Sequence, residues 1–89
     1  MLSNIHPKYH LAVCPKNQSP YNPTRSKIDG SVATIIDLPI GERGWFVVVD
    51  EYDYWHRIHT SIVEAVNVDK DGNVTLNTAN TIYTFKKIN

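Results

Sequence analysis

Eighty-nine residues make one domain with room for a single small core. The lone cysteine, Cys14, excludes an intramolecular disulfide and suits a reducing cytoplasm, the expected location. Nine basic side chains balance nine acidic ones, against both a strong nucleic-acid binder and an acidic nucleic-acid mimic, and no apolar run approaches the roughly 20 residues of a membrane span.

Residues 1–30 hold four of the five prolines, Pro7, Pro15, Pro20 and Pro23, which deny a long helix. The start, MLSNIHPKYH, lacks the apolar stretch of a secretory signal. Lys8, Lys16, Arg25 and Lys27 against Asp29 make this part basic, while residues 31–89 carry five basic and eight acidic groups. The expectation is an irregular, Pro-rich basic arm over 1–30, lying on a mildly acidic body over 31–89. Within the arm, His10 to Cys14 fits a short strand, and Ile5, Tyr9, Leu11, Val13 and Tyr21 are apolar enough to dock on the body.

Asp29-Gly30 reads as a turn, and the β-branched run Ser31 to Leu38 as the first core strand. Pro39 to Gly44 is a loop. Trp45 to Val49 is apolar at every position, which predicts a strand buried on both faces. Asp50 to Tyr54 is a second connection, and Trp55 to Ser61 leads into the last third of the chain.

That last third specifies a β-meander with a legible register. A loop of Lys70, Asp71 and Gly72, with Gly72 at the bulge position, pairs Asp69 with Asn73, Val68 with Val74 and Val66 with Leu76. A turn at Ala79-Asn80, with Asn80 taking the left-handed region, pairs Leu76 with Tyr83 and Val74 with Phe85. Both turns put Val66, Val68, Val74, Leu76, Tyr83 and Phe85 on one face and Asn67, Thr75, Asn77 and Thr84 on the other. About five strands with short connections bury their faces most economically as an all-β, small SH3-like barrel or strongly bent antiparallel meander. An open sheet with a short helix from the arm is the alternative.

The pattern His59-Thr60-Ser61-x-Val63-x-x-Val66, a Gly-Asn turn, then Thr78-x-Asn80-Thr81-x-Tyr83-x-Phe85 resembles one found in small β-barrel proteins of bacteria, phages and plasmids. The resemblance covers about Gly44 to Ile88. It implies the barrel fold and a mobile-element origin, and it carries no catalytic residues.

Several constellations invite chemistry. His6, His10 and Cys14 are three ligand types at even spacing, but a structural zinc needs four, which His56 or His59 would have to supply. No metal or cofactor is therefore expected. In a strand, His56 and His59 fall on opposite faces. Cys14 lacks the rigid frame of a catalytic thiol. Asp50, Glu51 and Asp53 read as a solvated turn. The Asp69 to Asn73 loop lacks the closing glutamate of a calcium loop. With no complete catalytic set, the chain is not expected to be an enzyme.

The stretch Tyr52-Asp53-Tyr54-Trp55-His56-Arg57 is richest in residues enriched at binding hot spots. The leading expectation is a non-catalytic protein-binding module using Tyr52, Tyr54, Trp55, His56 and Arg57. On the resemblance, its partner would be a host protein or defence complex that it inhibits. The alternative is a small barrel that stacks single-stranded nucleic acid on these aromatics, with Lys8, Lys16, Arg25, Lys27, Lys86 and Lys87 on the phosphates. A homodimer is open as well.

Overall fold

The computed structural model describes residues 8–16, 28–50 and 52–88. Six strands, β1 (Tyr9–Pro15), β2 (Val32–Asp37), β3 (Arg43–Val49), β4 (Trp55–Val68), β5 (Val74–Thr78) and β6 (Thr81–Lys87), follow one another as antiparallel neighbours. β6 pairs back onto β1 and closes the barrel. The fold is thus all-β, a small SH3-like barrel with six strands rather than the five expected.

The additional strand is β1. Its seven residues pair with β6 from Tyr9↔Lys87 to Pro15↔Thr81. Tyr9 and Leu11 point into the core and His10, Ala12 and Cys14 point out. The barrel therefore begins at Tyr9, inside the stretch expected to be an arm. Pro15 is the last residue of its strand, where a missing N–H does least harm. β1 meets β2 over only two pairs, Tyr9↔Ala33 and His10↔Val32. Beyond them the Ile28–Ser31 turn seals β1: Leu11 donates to Ser31 O, Gly30 to Leu11 O, and Val13 N to Asp29 Oδ1.

The meander has the register read from the sequence. Val68 faces Val74, Val66 faces Leu76, Leu76 faces Tyr83 and Val74 faces Phe85. Gly72 takes φ 87° in its loop. Val68 lies past the end of the core and is exposed. The second turn is built differently from expectation. Asn80 does not adopt a positive φ; instead the Thr78 hydroxyl accepts from Thr81 N and donates to Thr81 O. That side-chain clasp closes the turn, so no left-handed residue is required.

The core is aromatic at its centre. Phe46 stands edge-to-face on Tyr83 at 5.4 Å and on Phe85 at 5.2 Å, and Tyr9 meets Phe85 at 5.9 Å. Leu11, Ala33, Val48, Val63, Val74 and Leu76 fill the space around them. β4 is 14 residues long because it serves two partners, β3 with its first half and β5 with its second. At its bend Gly44 of β3 is buried, and its N–H donates to Thr60 Oγ1. A Cβ there would lie 3.0 to 3.2 Å from Leu38, the Asp37 carbonyl and Val63.

Candidate functional site

β3 is apolar at every position from Trp45 to Val49, but the barrel has only one interior. Phe46 and Val48 are buried in it. Trp45, Val47 and Val49 point the other way and are half-buried on the outer surface. The expectation of a strand buried on both faces is corrected here: a single-layer wall leaves the second apolar face outside.

The register extends that face sideways. Val49 sits between Val32 of β2 and Trp55 of β4, Val47 between Thr34 and Arg57, and Trp45 between Asp37 and His59. A bulge makes Ile36 an extra residue beside Trp45. Trp45 stacks on His59 with ring centroids 6.2 Å apart and planes at 24°. The Arg57 guanidinium carbon lies 4.9 Å from the Trp45 ring centroid, a cation–π contact. Trp55 is 49% exposed. It separates two open depressions. One, of about 410 Å³, is lined by Lys8, Val32, Thr34, Val49, Asp50, Asp53 and Trp55. The other, of about 480 Å³, is lined by Ile36, Trp45, Val47, Trp55 and Arg57.

The loop before β4 is held by Asp50. Its Oδ1 accepts from Tyr52 N at 2.8 Å and Tyr54 N at 3.0 Å, and His56 Nε2 lies 2.8 Å from Oδ2. Asp53 takes φ 65°. The Asp69 loop repeats this construction. Asp69 Oδ1 accepts from Asp71 N and Asn73 N, and Gly72 occupies the left-handed position. Both loops also share the backbone pattern, with Asp53 N and Gly72 N donating to Asp50 O and Asp69 O.

The His56 hydrogen bond, and next the Tyr54 amide, hold the Asp50 carboxyl below its ordinary value of 3.8. Stability from a carboxylate shifted downward is present above the ordinary carboxylate range and is lost as pH falls through the lowered value. Acid titration by NMR should therefore move the Tyr52 and Tyr54 amide protons together, with a midpoint below 3.8. In Asp50→Asn this common transition should disappear.

The predicted contact residues do not share one surface. Trp55 and Arg57 lie on the outer sheet face. Tyr52 and Tyr54 stand exposed on the loop at 73% and 68%. His56 turns to the opposite side of β4 and is held by Asp50, and His59, expected opposite it, stacks on Trp45. Neither tryptophan is a core residue. Val32, Ile36, Val47 and Val49 join the face although nothing singled them out. Their signal was the two-sided apolar run of β3 in a chain too short for a second layer.

The proposed phosphate contacts are scattered. Lys8 borders the first depression, and Lys16 pairs with Glu64 at 2.9 Å. Lys86 lies at the far end of a lateral row that runs through His10, Val32 and Val49 to Trp55. Lys87 lies over Gly72. Arg25, Lys27 and His6 fall outside the described residues, as do Ile5, Tyr21 and Glu51. Cys14 and His10 are exposed on β1, and no group of three metal-ligating side chains occurs among the described residues. No protein-family model, curated protein or solved structure matches the chain.

Proposed function

We propose that this chain is a non-catalytic protein-binding module whose contact surface is the outer face of β2, β3 and β4. The observation that carries this reading is the row Trp45, Val47 and Val49, apolar and outward, flanked by Val32 and Ile36 on one side and Trp55 and Arg57 on the other. Contiguous apolar surface of this kind marks interaction sites, and tryptophan and arginine dominate hot spots. Inhibition of a host protein, which the resemblance implies, would be one instance of this role.

Charge separates this reading from single-stranded nucleic-acid binding. Asp50 and Asp53 line the depression beside Trp55 and would face the phosphates. Lys16 is engaged by Glu64, and the Arg57 guanidinium lies over Trp45.

The test is affinity capture from a lysate of the source cells, with and without nuclease, comparing the parent with Trp55→Ser. Trp55 is half-exposed, so the variant should keep a cooperative melt. A protein that survives nuclease and falls by about 30-fold with the variant, as loss of a hot spot of about 2 kcal/mol requires, is the expected result. Recovery of nucleic acid alone, or of the same proteins in equal amounts by both baits, would overturn the proposal.

A further inference from the structure

The chain has two Asp–Gly links, Asp29-Gly30 and Asp71-Gly72. Glycine has no Cβ, so its own amide nitrogen is uncrowded and can reach the carboxyl of a preceding aspartate. Asparagine offers no comparable link in the described barrel. Asn67, Asn73, Asn77 and Asn80 each precede valine or threonine, whose branched Cβ crowds the amide.

The fold treats the two Asp–Gly links differently. Asp29 Oδ1 accepts from Val13 N at 2.9 Å, and Gly30 N donates to Leu11 O at 2.7 Å. Both bonds tie the link to β1, so freeing the carboxyl and the nitrogen means peeling the turn from that strand. Asp71 is exposed in the loop between β4 and β5, and its carboxylate has no partner among the described residues. Gly72 N donates to Asp69 O at 3.1 Å, inside the loop itself. Releasing that bond leaves every strand pair in place. Glycine is also required here: φ is 87°, and a Cβ would lie 2.9 Å from Lys87 Cδ. The loop therefore retains a chemically labile link.

We propose that Asp71-Gly72 is a modification site, at which the folded protein converts Asp71 spontaneously to isoaspartate and so opens the Asp69 loop. The Gly72 nitrogen attacks Asp71 Cγ and forms a new C–N bond. The carboxyl's hydroxyl leaves with the amide proton as water, and a cyclic succinimide results. Water then adds to one of the two ring carbonyls. Breaking the new C–N bond restores aspartate. Breaking the original peptide C–N bond leaves Gly72 joined through the β-carboxyl, which is isoaspartate. One water is lost and one gained, so the mass is unchanged.

Isoaspartate adds one methylene to the main chain between Asp71 N and Asn73 N. Asp69 Oδ1 accepts from both of these amides, at 2.9 Å each, and the longer path separates them. Asn73 Oδ1 in turn accepts from Lys87 N at 2.9 Å, so the loosening reaches the end of β6. This site is independent of what the outer face binds.

The test is incubation of the full chain in warm neutral buffer for several weeks, folded and in urea. Peptide mapping uses a protease that cuts before aspartate but not before isoaspartate. In the folded sample, isoaspartate at Asp71 should exceed that at Asp29 by at least about tenfold, the factor that one further hydrogen bond to a charged carboxylate is worth. In urea, where neither link is held, the two should react at comparable rates. Asp71→Glu keeps the charge at an exposed position but must close a larger ring, and it should lose the product at this link. In an acid titration of the parent, the Asp71 and Asn73 amide protons should follow the Asp69 carboxyl, which the Asn73 amide above all holds below 3.8. In the separated isoaspartyl form they should no longer move together. Isoaspartate absent at Asp71, or as abundant at Asp29 in the folded chain, would overturn the proposal. So would an isoaspartyl form whose two amides still follow Asp69.

Discussion

Phe46→Ala is expected to remove most of the barrel's stability and leave a large share of the chains unfolded at 25 °C. Phe46 is fully buried and forms edge-to-face contacts with both Tyr83 and Phe85, so its removal opens the centre of the core. A buried Phe→Ala change costs about 3–5 kcal/mol. A core of this size supplies a net stability of about 3–5 kcal/mol. The two quantities are equal within their spread, so folded and unfolded chains should be comparably populated, and the far-ultraviolet circular dichroism should fall well short of the parent's. Phe46→Leu, which keeps most of the volume, should fold with a lower urea midpoint. A cooperative melt of Phe46→Ala at the parent's temperature would contradict this account of the core.

Thr78→Val is expected to cost nearly as much, although it keeps the shape of the side chain. The hydroxyl accepts from Thr81 N at 3.1 Å and donates to Thr81 O at 2.8 Å, and both threonines are fully buried. Valine leaves that N–H and that carbonyl unpaired away from water. Each orphaned group costs about 1–3 kcal/mol. Urea denaturation should show a lower midpoint with an unchanged slope, the mark of a lost interaction in an otherwise intact fold. Thr78→Ser keeps the hydroxyl and should stay close to the parent.

Legibility in the sequence followed local redundancy. The meander could be read because alternation and turn chemistry agreed across three strands, from Val66 to Phe85, and its register is as expected. β1 was read in part: His10 to Cys14 was expected as a short strand, and Tyr9, Leu11 and Val13 alternate with His10, Ala12 and Cys14 as a half-buried strand should, but the stretch was assigned to an arm rather than to the barrel. Its place opposite β6 is a contact across more than half of the chain, which no local pattern records. The clasp at Thr78–Thr81 was read as a turn set by Asn80 because asparagine tolerates the left-handed region, whereas the controlling atom is the hydroxyl of Thr78, two residues earlier.

The candidate face was half legible. Trp55 and Arg57 were marked by residue type, but their neighbours on β2 and β3 are set by pairing. The loop that carries Tyr52 and Tyr54 was read only as a connection with a solvated turn, while it repeats the two Oδ1 hydrogen bonds of the Asp69 loop. The usable signal was an aspartate followed three positions later by a residue that tolerates the left-handed region: Gly72 after Asp69, and Asp53 after Asp50.

Closure of the barrel by its first and last strands has a kinetic meaning. In a growing chain β1 appears first, and β6, which covers one whole side of it and pairs Tyr9 with Lys87, appears last. Until then Tyr9 and Leu11 have no interior to enter, and one edge of β1 is unpaired along its length. Non-local pairing of this kind slows folding, and an unpaired edge recruits other chains. Truncation anywhere in β6 therefore removes more than a strand: it reopens the ring, and shortened chains are expected to associate through the β1 edge rather than persist as five-stranded barrels.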